Sequence, residues 1–197
     1  MRNIFCSGTG GVIPDNGSAV YFQIEPGTLG ASVLDTNFGV LNVCININHT
    51  YDADLEVALI APDGTQVMLT YANGGDGDNY TNTCFDDRAA TSIAQGSAPF
   101  TGNYRPNEIL GYVNNGQTAT GTWTLYIHDM YPWADNGVLL NWSITFGADA
   151  TGPYELTSSN LTIVLIDTDG QPIPDDPKIP ANLKIINNGP GIRNYIT

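Results

Sequence analysis

The strongest constraint on the fold of this chain is a two-residue alternation of apolar and polar side chains in several short segments. In Gly121–Asp129, the apolar residues Trp123, Leu125 and Ile127 occupy every second position. In a β-strand, successive side chains point to opposite faces, so each face repeats every two residues. In a helix, the repeat is 3.6 residues. No segment shows a convincing helical period. The pattern predicts an all-β protein, and the Gly, Pro and Asn turns between strands favour a jelly-roll-like antiparallel β-sandwich.

Two further segments carry the same alternation. In Phe38–Asn48, one face is predicted to hold Leu41, Val43, Ile45 and Ile47. In Val138–Phe146, the shared apolar face is predicted to hold Leu140, Trp142, Ile144 and Phe146. One apolar and one polar face is typical of strands that are buried on one side only.

The remaining predicted strands are shorter. The first is Ala19–Ile24, and a hairpin follows in which Leu55–Ile60 and Gln66–Tyr71 are joined through an Asp-Gly turn. Tyr80–Phe85 is predicted as another short strand. Residues 92–110 show little pattern and are predicted to form a loop across one end of a sheet.

Composition divides the chain into three parts. Residues 1–148 hold the predicted sandwich, and residues 149–160 are polar and are predicted to form a linker. Residues 161–197 begin with an apolar strand, which is followed by four prolines within residues 172–180. Such a short segment cannot close a core alone, so it is predicted to open a second domain or to form an extended tail packed on the first.

The most unusual loop is Asn73–Asp87, which holds four carboxylates, three glycines and no basic residue in fifteen positions. Carboxylates this close repel one another unless water or a cation separates them. Calcium prefers clusters of carboxylate, amide and carbonyl oxygens, so it is the predicted cofactor. The candidate ligands lie in loops or at strand ends, and they are Asp52, Asp54, Asp78, Asp86, Asp87 and Asp129. The alternative is an ordinary solvated acidic loop.

The charge of the chain excludes several classes of partner. The formal net charge is −14, from 6 basic and 20 acidic residues. Nucleic acid and anionic membrane surfaces are therefore poor partners, and no apolar run approaches the ~20 residues that span a bilayer. Residues 1–5 are too short and polar for a secretory signal. The low lysine content with abundant Gly, Asn, Thr and Tyr is typical of a secreted or cell-surface bacterial protein.

The three cysteines, Cys6, Cys44 and Cys84, allow three different disulfide pairings, each with one thiol left over. A disulfide is favoured if the protein is exported. Their spacing does not select a pair, and the absence of a C-x-x-C motif argues against a thiolate metal site.

No catalytic constellation is evident, so the chain is not predicted to be an enzyme. His49 and His128 are the only histidines, and neither adjoins a nucleophile motif. His49 is expected to hydrogen-bond a loop, and His128 to be exposed or to contact Asp129. A group of turn aromatics could instead form a sugar- or peptide-binding platform: Tyr104, Tyr112, Tyr131 and Trp133.

Several motifs in order carry a family resemblance: IPDNGS, VCININHTYDADLEVALIAPDGT, GGDGDNYTNTCFDD, APFTGNYRP, NGQTATGTWTLYIHD and GVLLNWSITF. Together they resemble the P domain that follows the catalytic domain in proprotein convertases, kexin and secreted bacterial subtilisin-like proteases. The resemblance covers residues 12–147 and implies a jelly roll of eight or nine strands. It also implies a non-catalytic module that stabilises or positions a neighbouring domain, often with bound calcium.

The C-terminal stretch SSNLTIVLIDTDGQPIPDDPKIPANLKIINNGPGIRN is similar to the segment that opens a spore-coat-H-type kinase-like domain in exported proteins. Any catalytic residues of such a domain would lie beyond residue 197. The leading hypothesis is therefore a calcium-stabilised accessory module whose partner is a neighbouring domain of the same polypeptide. The alternatives are a carbohydrate- or protein-binding adhesive module and a self-assembling extracellular structural subunit.

Overall fold

The computed structural model describes residues 2–29, 31, 33–153, 157–168 and 176–196. The chain divides into two compact units, residues 1–154 and residues 155–197. This division falls inside the segment 149–160 that the sequence predicts to be a linker. Within the described ranges, no helix is long and apolar enough to cross a membrane.

The described part of the first unit contains two β-sheets. The strands are β1 (Ile4–Ile13), β2 (Val20–Ile24), β3 (Gly39–Asn48), β4 (Leu55–Ile60), β5 (Gln66–Tyr71), β6 (Tyr80–Phe85), β7 (Phe100–Tyr104), β8 (Trp123–Asp129) and β9 (Gly137–Gly147). One sheet has the strand order β1-β9-β3-β6-β7, and the other has β2-β8-β4-β5. Every pairing is antiparallel except that of β6 with β7, which is parallel. The all-β prediction is confirmed, and the predicted hairpin has the observed bounds.

The core lies between the two sheets. Trp123, Leu125 and Ile127 of β8 are all fully buried, as their alternation predicts. The ring of Trp123 packs edge-on against Phe146 of β9 in the opposite sheet, with 5.5 Å between ring centroids. Each large apolar side chain buried in this way stabilises the fold by about 1.5–3 kcal/mol. The two sheets therefore form one sandwich with a shared core.

The inward face predicted for β9 is wrong at Leu140. Leu140 is 50% exposed, and Leu139 is buried in its place. The cause is a β-bulge, because the pairing of β9 with β3 skips one residue between Asn141 and Leu139. A bulge adds one residue to a strand, so the faces are reversed beyond it.

In the described part of the first unit, two strands lie where the sequence predicts no strand. β7 occupies part of the predicted loop 92–110. β1 pairs with β9 over most of its length, but its three glycines hide any alternation. The close approach of the two strands accounts for one of them, since an added Cβ at Gly10 would lie 1.7 Å from the carbonyl oxygen of Leu139. Glycine is needed there for packing.

A disulfide joins Cys44 of β3 to Cys84 of the adjacent strand β6. This bridge selects one of the three pairings that the sequence leaves open. It closes a sequence separation of 40 residues, which in the chain-entropy model stabilises the fold by roughly 4 kcal/mol. Cys6 is the remaining thiol and is half-buried, and its burial raises its pKa.

The described part of the second unit holds two short antiparallel pairs. β10 (Ser158–Ser159) pairs with β13 (Asn194–Tyr195), and β11 (Ile163–Asp167) pairs with β12 (Asn182–Ile186). Cross-strand neighbours on one face of the longer pair are more than half exposed: Val164, Ile166, Leu183 and Ile185. The strands agree with the apolar strand expected after residue 160, and the kinase-like resemblance of this segment stays a prediction.

Candidate cation site in the acidic loops

The six acids predicted as calcium ligands fall in three places on the first unit. Asp52 lies beneath the glycine-rich part of the acidic loop, and Asp78 of that loop is its charged neighbour. Asp54 and Asp129 lie together with a third acid, Asp135. Asp86 and Asp87 follow β6 and hold neighbouring turns. The predicted set is therefore not a single ligand shell.

Asp52 begins a short 3₁₀ turn, residues 52–54, and its side chain is completely buried. Its Oδ1 accepts a hydrogen bond from the backbone N–H of Asn79 at 2.9 Å. Its Oδ2 has no hydrogen-bond partner. The other two such buried atoms in the described ranges are the indole nitrogens of Trp123 and Trp142, so Asp52 holds the one carboxylate oxygen among them.

The loop above Asp52 is held closely against it by backbone hydrogen bonds. The N–H of Asp52 donates to the carbonyl of Gly77 at 2.8 Å, and that of Ala53 donates to Gly75 at 3.2 Å. Gly74 has a φ of +99°, and a Cβ there would lie 2.9 Å from the Cβ of Asp52. The left-handed backbone and the close contact both favour glycine at this position. The glycine-rich loop thus packs its backbone against the turn that carries the buried carboxylate.

The environment of Asp52 opposes its negative charge. Burial raises its pKa to about 7, the negative charge of Asp78 adds to this increase, and the hydrogen bond from Asn79 partly offsets it. A buried carboxylate oxygen without a partner is destabilising unless a proton or a cation neutralises it. Near neutral pH, Asp52 therefore requires either a bound proton or a nearby cation.

The second group surrounds the end of β8. Asp129 is fully buried; its Oδ1 accepts the N–H of Tyr131 at 3.1 Å, and its Oδ2 lies 3.3 Å from Nε2 of His49. Asp135 accepts a 2.6 Å hydrogen bond from the hydroxyl of Thr50. The pKa of Asp54 is raised by burial, then by its contact with Asp135 and the charge of Asp129. Negative charge accumulates here around a single buried histidine.

A surface pocket of about 360 Å³ opens at this second group. It is lined by Tyr51, Asp54, Tyr131, Ala134 and Asp135. Sequence reasoning named Asp54 but missed Asp135 and Tyr51. Asp135 begins the Asp-Asn-Gly turn before β9. Turn chemistry already explains an Asp at that position, so the sequence offered no separate reason to assign Asp135 to a site.

Asp87 has a different environment from the other predicted ligands. Its Oδ1 accepts the N–H of Leu110 at 2.8 Å, and its Oδ2 accepts the N–H of Gly111 at 2.9 Å and the hydroxyl of Thr151 at 2.6 Å. Asp86 accepts only the N–H of Arg88, at 2.8 Å, within its own turn. Asp87 thus joins three segments of the chain through protein donors alone.

In the described ranges, no three His, Cys, Asp or Glu side chains are placed together to hold a metal ion. A calcium ion would therefore have to use backbone carbonyls along with one or two carboxylates, as calcium commonly does. The place that fits this requirement is Asp52, where a buried oxygen lacks a partner and Asp78 and the loop carbonyls are near. Asp54, Asp86, Asp87 and Asp129 stay predicted ligands without such an observation.

The two histidines contact different acids, and the predicted platform aromatics differ in exposure. Nδ1 of His49 lies 3.0 Å from the carbonyl of Tyr51, which is the expected hydrogen bond to a loop. His49, and not His128, contacts Asp129; Nδ1 of His128 lies 3.4 Å from Glu56. Of the predicted platform, Trp133 and Tyr131 are well exposed, at 80% and 64%. Ligand binding by these aromatics stays a prediction.

The family model of the proprotein convertase P-domain matches residues 39–146, which is more than half of the chain. The protein belongs to this family. The match includes β3 to most of β9 and the loops that hold the six predicted acids, and it does not extend into the second unit.

Two curated relatives have names that describe an enzyme, and one of the two is a metalloprotease. A leupeptin-inactivating enzyme of Streptomyces exfoliatus is 37% identical over 73 residues, covering 37% of this chain and 16% of that protein. A transglutaminase-activating metalloprotease of Streptomyces mobaraensis is 28% identical over 144 residues. This match covers 73% of this chain and 15% of the metalloprotease. This chain thus spans about a sixth of the length of either relative.

Among solved structures, the serine protease of Aeromonas sobria is similar. Its complex with a chaperone gives a TM-score of 0.42 at 18% identity, over 76% of this chain and 28% of the other. The protease alone gives 0.40 at 17% identity, over 75% and 27%.

Proposed function

We propose that this chain is a non-catalytic accessory module of an exported protein, and that calcium fixes its acidic loop in place. Membership in the P-domain family supports the accessory role, because the matched region is about a sixth of either relative, one of which is a metalloprotease. The observation that carries the calcium proposal is the buried Oδ2 of Asp52, which has no hydrogen-bond partner. The module would stabilise or position a neighbouring domain of the same polypeptide.

The chemistry around Asp52 suits calcium better than a proton. Calcium takes six to eight oxygen ligands from carboxylates, backbone carbonyls and water. Asp52 and Asp78 would supply carboxylate oxygens, and the glycine-rich loop 74–77 would supply carbonyls. A cation there neutralises the charge that burial opposes, and it links the 3₁₀ turn to the loop that covers it.

A calcium-braced loop would give the module a rigid surface for its neighbour. The environment of His49 supports a role without catalysis, because His49 is buried against Asp129 and Tyr51. His128 is half-buried and lies 3.4 Å from Glu56. Outside the cell, free calcium is abundant enough to saturate sites of modest affinity. In an exported protein, calcium would therefore hold the acidic loop in place, and the loop would serve a structural role.

The test is thermal unfolding of the intact chain with excess calcium and then with chelator. Because calcium would bind the folded state alone, it should raise stability by about 2.7 kcal/mol when present at a hundred times its Kd. Asp52→Asn replaces the charged carboxylate by a neutral amide and should sharply reduce the increase in Tm. Asp149→Asn makes the same charge change at an exposed position and should leave the increase intact.

Two results would contradict the calcium proposal. The first is an unchanged Tm of the wild-type chain in calcium and in chelator. The second is an increase that survives Asp52→Asn in full, because calcium would then bind elsewhere on the molecule.

A further inference from the structure

We propose that the pocket beside β8 binds the guanidinium group of an arginine side chain presented by a partner polypeptide. The pocket is separate from the proposed calcium site, although Asp52 and Asp54 belong to the same 3₁₀ turn. Its lining combines two tyrosines, Tyr51 and Tyr131, with two carboxylates, Asp54 and Asp135. This combination defines both the charge and the shape of the ligand.

The charge of the pocket calls for a cation. None of its five lining residues is basic. The negative charge of buried Asp129 raises the pKa of Asp54, and His49, which contacts Asp129, partly offsets that effect. Up to residue 150, the chain has three basic and fifteen acidic residues, so it carries a formal charge of −12. In the described part of this unit, Arg105 is engaged with the carbonyls of Ala89 and Ala90. Because no basic residue lines the pocket, we expect the positive group to come from a partner molecule.

The size and the walls of the pocket indicate an organic cation. Its volume of about 360 Å³ lies at the low end of the ~300–1,000 Å³ usual for small-molecule pockets and far exceeds one ion. Among the described residues, no three His, Cys, Asp or Glu side chains are placed to hold a metal ion. Tyr131 is 64% exposed and Tyr51 is 39% exposed, so aromatic surface remains available at the rim. Aromatic faces attract cations through their ring electrons.

Arginine fits this lining better than lysine. Its planar guanidinium can stack on a tyrosine ring and donate paired hydrogen bonds to carboxylates at the same time, whereas an ammonium group acts as a point charge. The carboxylate of Asp135 is already oriented by the hydroxyl of Thr50, and the backbone N–H of Tyr131 is held by Asp129. The acceptor and one wall are thus positioned before a ligand arrives.

The experiment uses two matched probes, N-acetyl-arginine amide and its neutral isostere N-acetyl-citrulline amide. Binding is followed by NMR through the amide signals of Tyr131 and Asp135 in the full chain. We expect saturable shifts with the arginine probe and binding at least about tenfold weaker with citrulline, equivalent to 1.4 kcal/mol. Tyr131→Ala and Asp135→Asn should each weaken arginine binding several-fold. Tyr131 is exposed, and Asn can still accept the Thr50 hydrogen bond, so both variants should fold.

Controls separate this proposal from general acidity and from calcium binding. Asp149→Asn changes the net charge equally and should not affect arginine binding. Asp52→Asn should also bind arginine normally, so failure of the calcium proposal would leave this one standing. Equal binding of citrulline, or equal weakening by Asp149→Asn, would overturn the arginine pocket. So would calcium displacing arginine in the Asp52→Asn variant, because the pocket would then be a metal site.

Discussion

Asp52 and Asp87 are both aspartates of acidic loops, yet the protein treats them in opposite ways. Asp87 accepts hydrogen bonds from Leu110, Gly111 and Thr151, so both its oxygens are satisfied by the chain itself. Asp52 is more deeply buried, accepts one hydrogen bond and keeps one oxygen without a partner. A satisfied carboxylate stabilises a fold, whereas an unsatisfied buried one costs stability until something binds it.

The comparison separates structural acids from acids available to a ligand. Both residues lie in segments that sequence reasoning assigned to calcium because of their acidity. The deciding quantity is the number of protein donors that reach each oxygen, which acidity alone does not reveal. Three substitutions test this distinction.

The largest effect is expected for Asp87→Asn. The new amide group would face the N–H of Gly111, so a buried donor would lose its acceptor and a charge-assisted bond would be lost. We expect the free energy of unfolding to fall by about 2–4 kcal/mol, equally with calcium and with chelator. Urea unfolding in both conditions measures this change. A loss seen only in calcium would instead make Asp87 a ligand and remove the contrast.

Asp52→Asn should have the opposite sign when calcium is chelated, and its effect should depend on pH. The folded protein keeps the Asp52 proton up to its raised pKa of about 7, whereas the unfolded chain releases it near its ordinary pKa of about 4. Wild-type stability should therefore fall as pH rises from about 4 to 7. At pH 8 the variant should be more stable than wild type by about 1–3 kcal/mol.

At pH 4 the variant should be close to wild type in stability, because folded Asp52 is then protonated and neutral, and about half of the unfolded chains carry the proton as well. Urea unfolding in chelator across this pH range gives the difference directly. If the stabilities of wild type and variant fall in parallel between pH 4 and 7, the pKa of Asp52 is not raised by its burial.

The smallest effect is expected for Asp86→Asn. Asp86 is half-buried and accepts one local hydrogen bond, from the N–H of Arg88, and an asparagine oxygen can accept it equally well. We expect a change within about ±0.5 kcal/mol and no change in the calcium-dependent Tm. A large loss here would show that Asp86 and Asp87 act as one unit.

Much of the sandwich was predictable because its signals are local. The hairpin strands β4 and β5 and the strand β6 have the predicted bounds, since alternation and an Asp-Gly turn are read over a few residues. β1 was missed because its glycines serve contacts with β9, a strand more than a hundred residues away. Leu140 was placed on the wrong face because a bulge depends on how two strands pair.

The site was less predictable than the fold. Acidity and glycine content pointed to the loop that covers Asp52, and they named Asp52 and Asp78 among six candidates. They could not divide those six into three places, and they missed Asp135 and Tyr51, which line the pocket with Asp54. Membership of a pocket depends on residues from separate loops that only the folded chain brings together.

The sequence by itself determined the all-β class, most of the strands and the P-domain family, because each follows from periodicity or from motifs in order along the chain. The tertiary structure alone decided which cysteines pair and which carboxylates meet protein donors. It also decided which carboxylate is buried with an oxygen unsatisfied. Burial and hydrogen bonding depend on contacts between distant segments, and these contacts set the charge that each aspartate can hold.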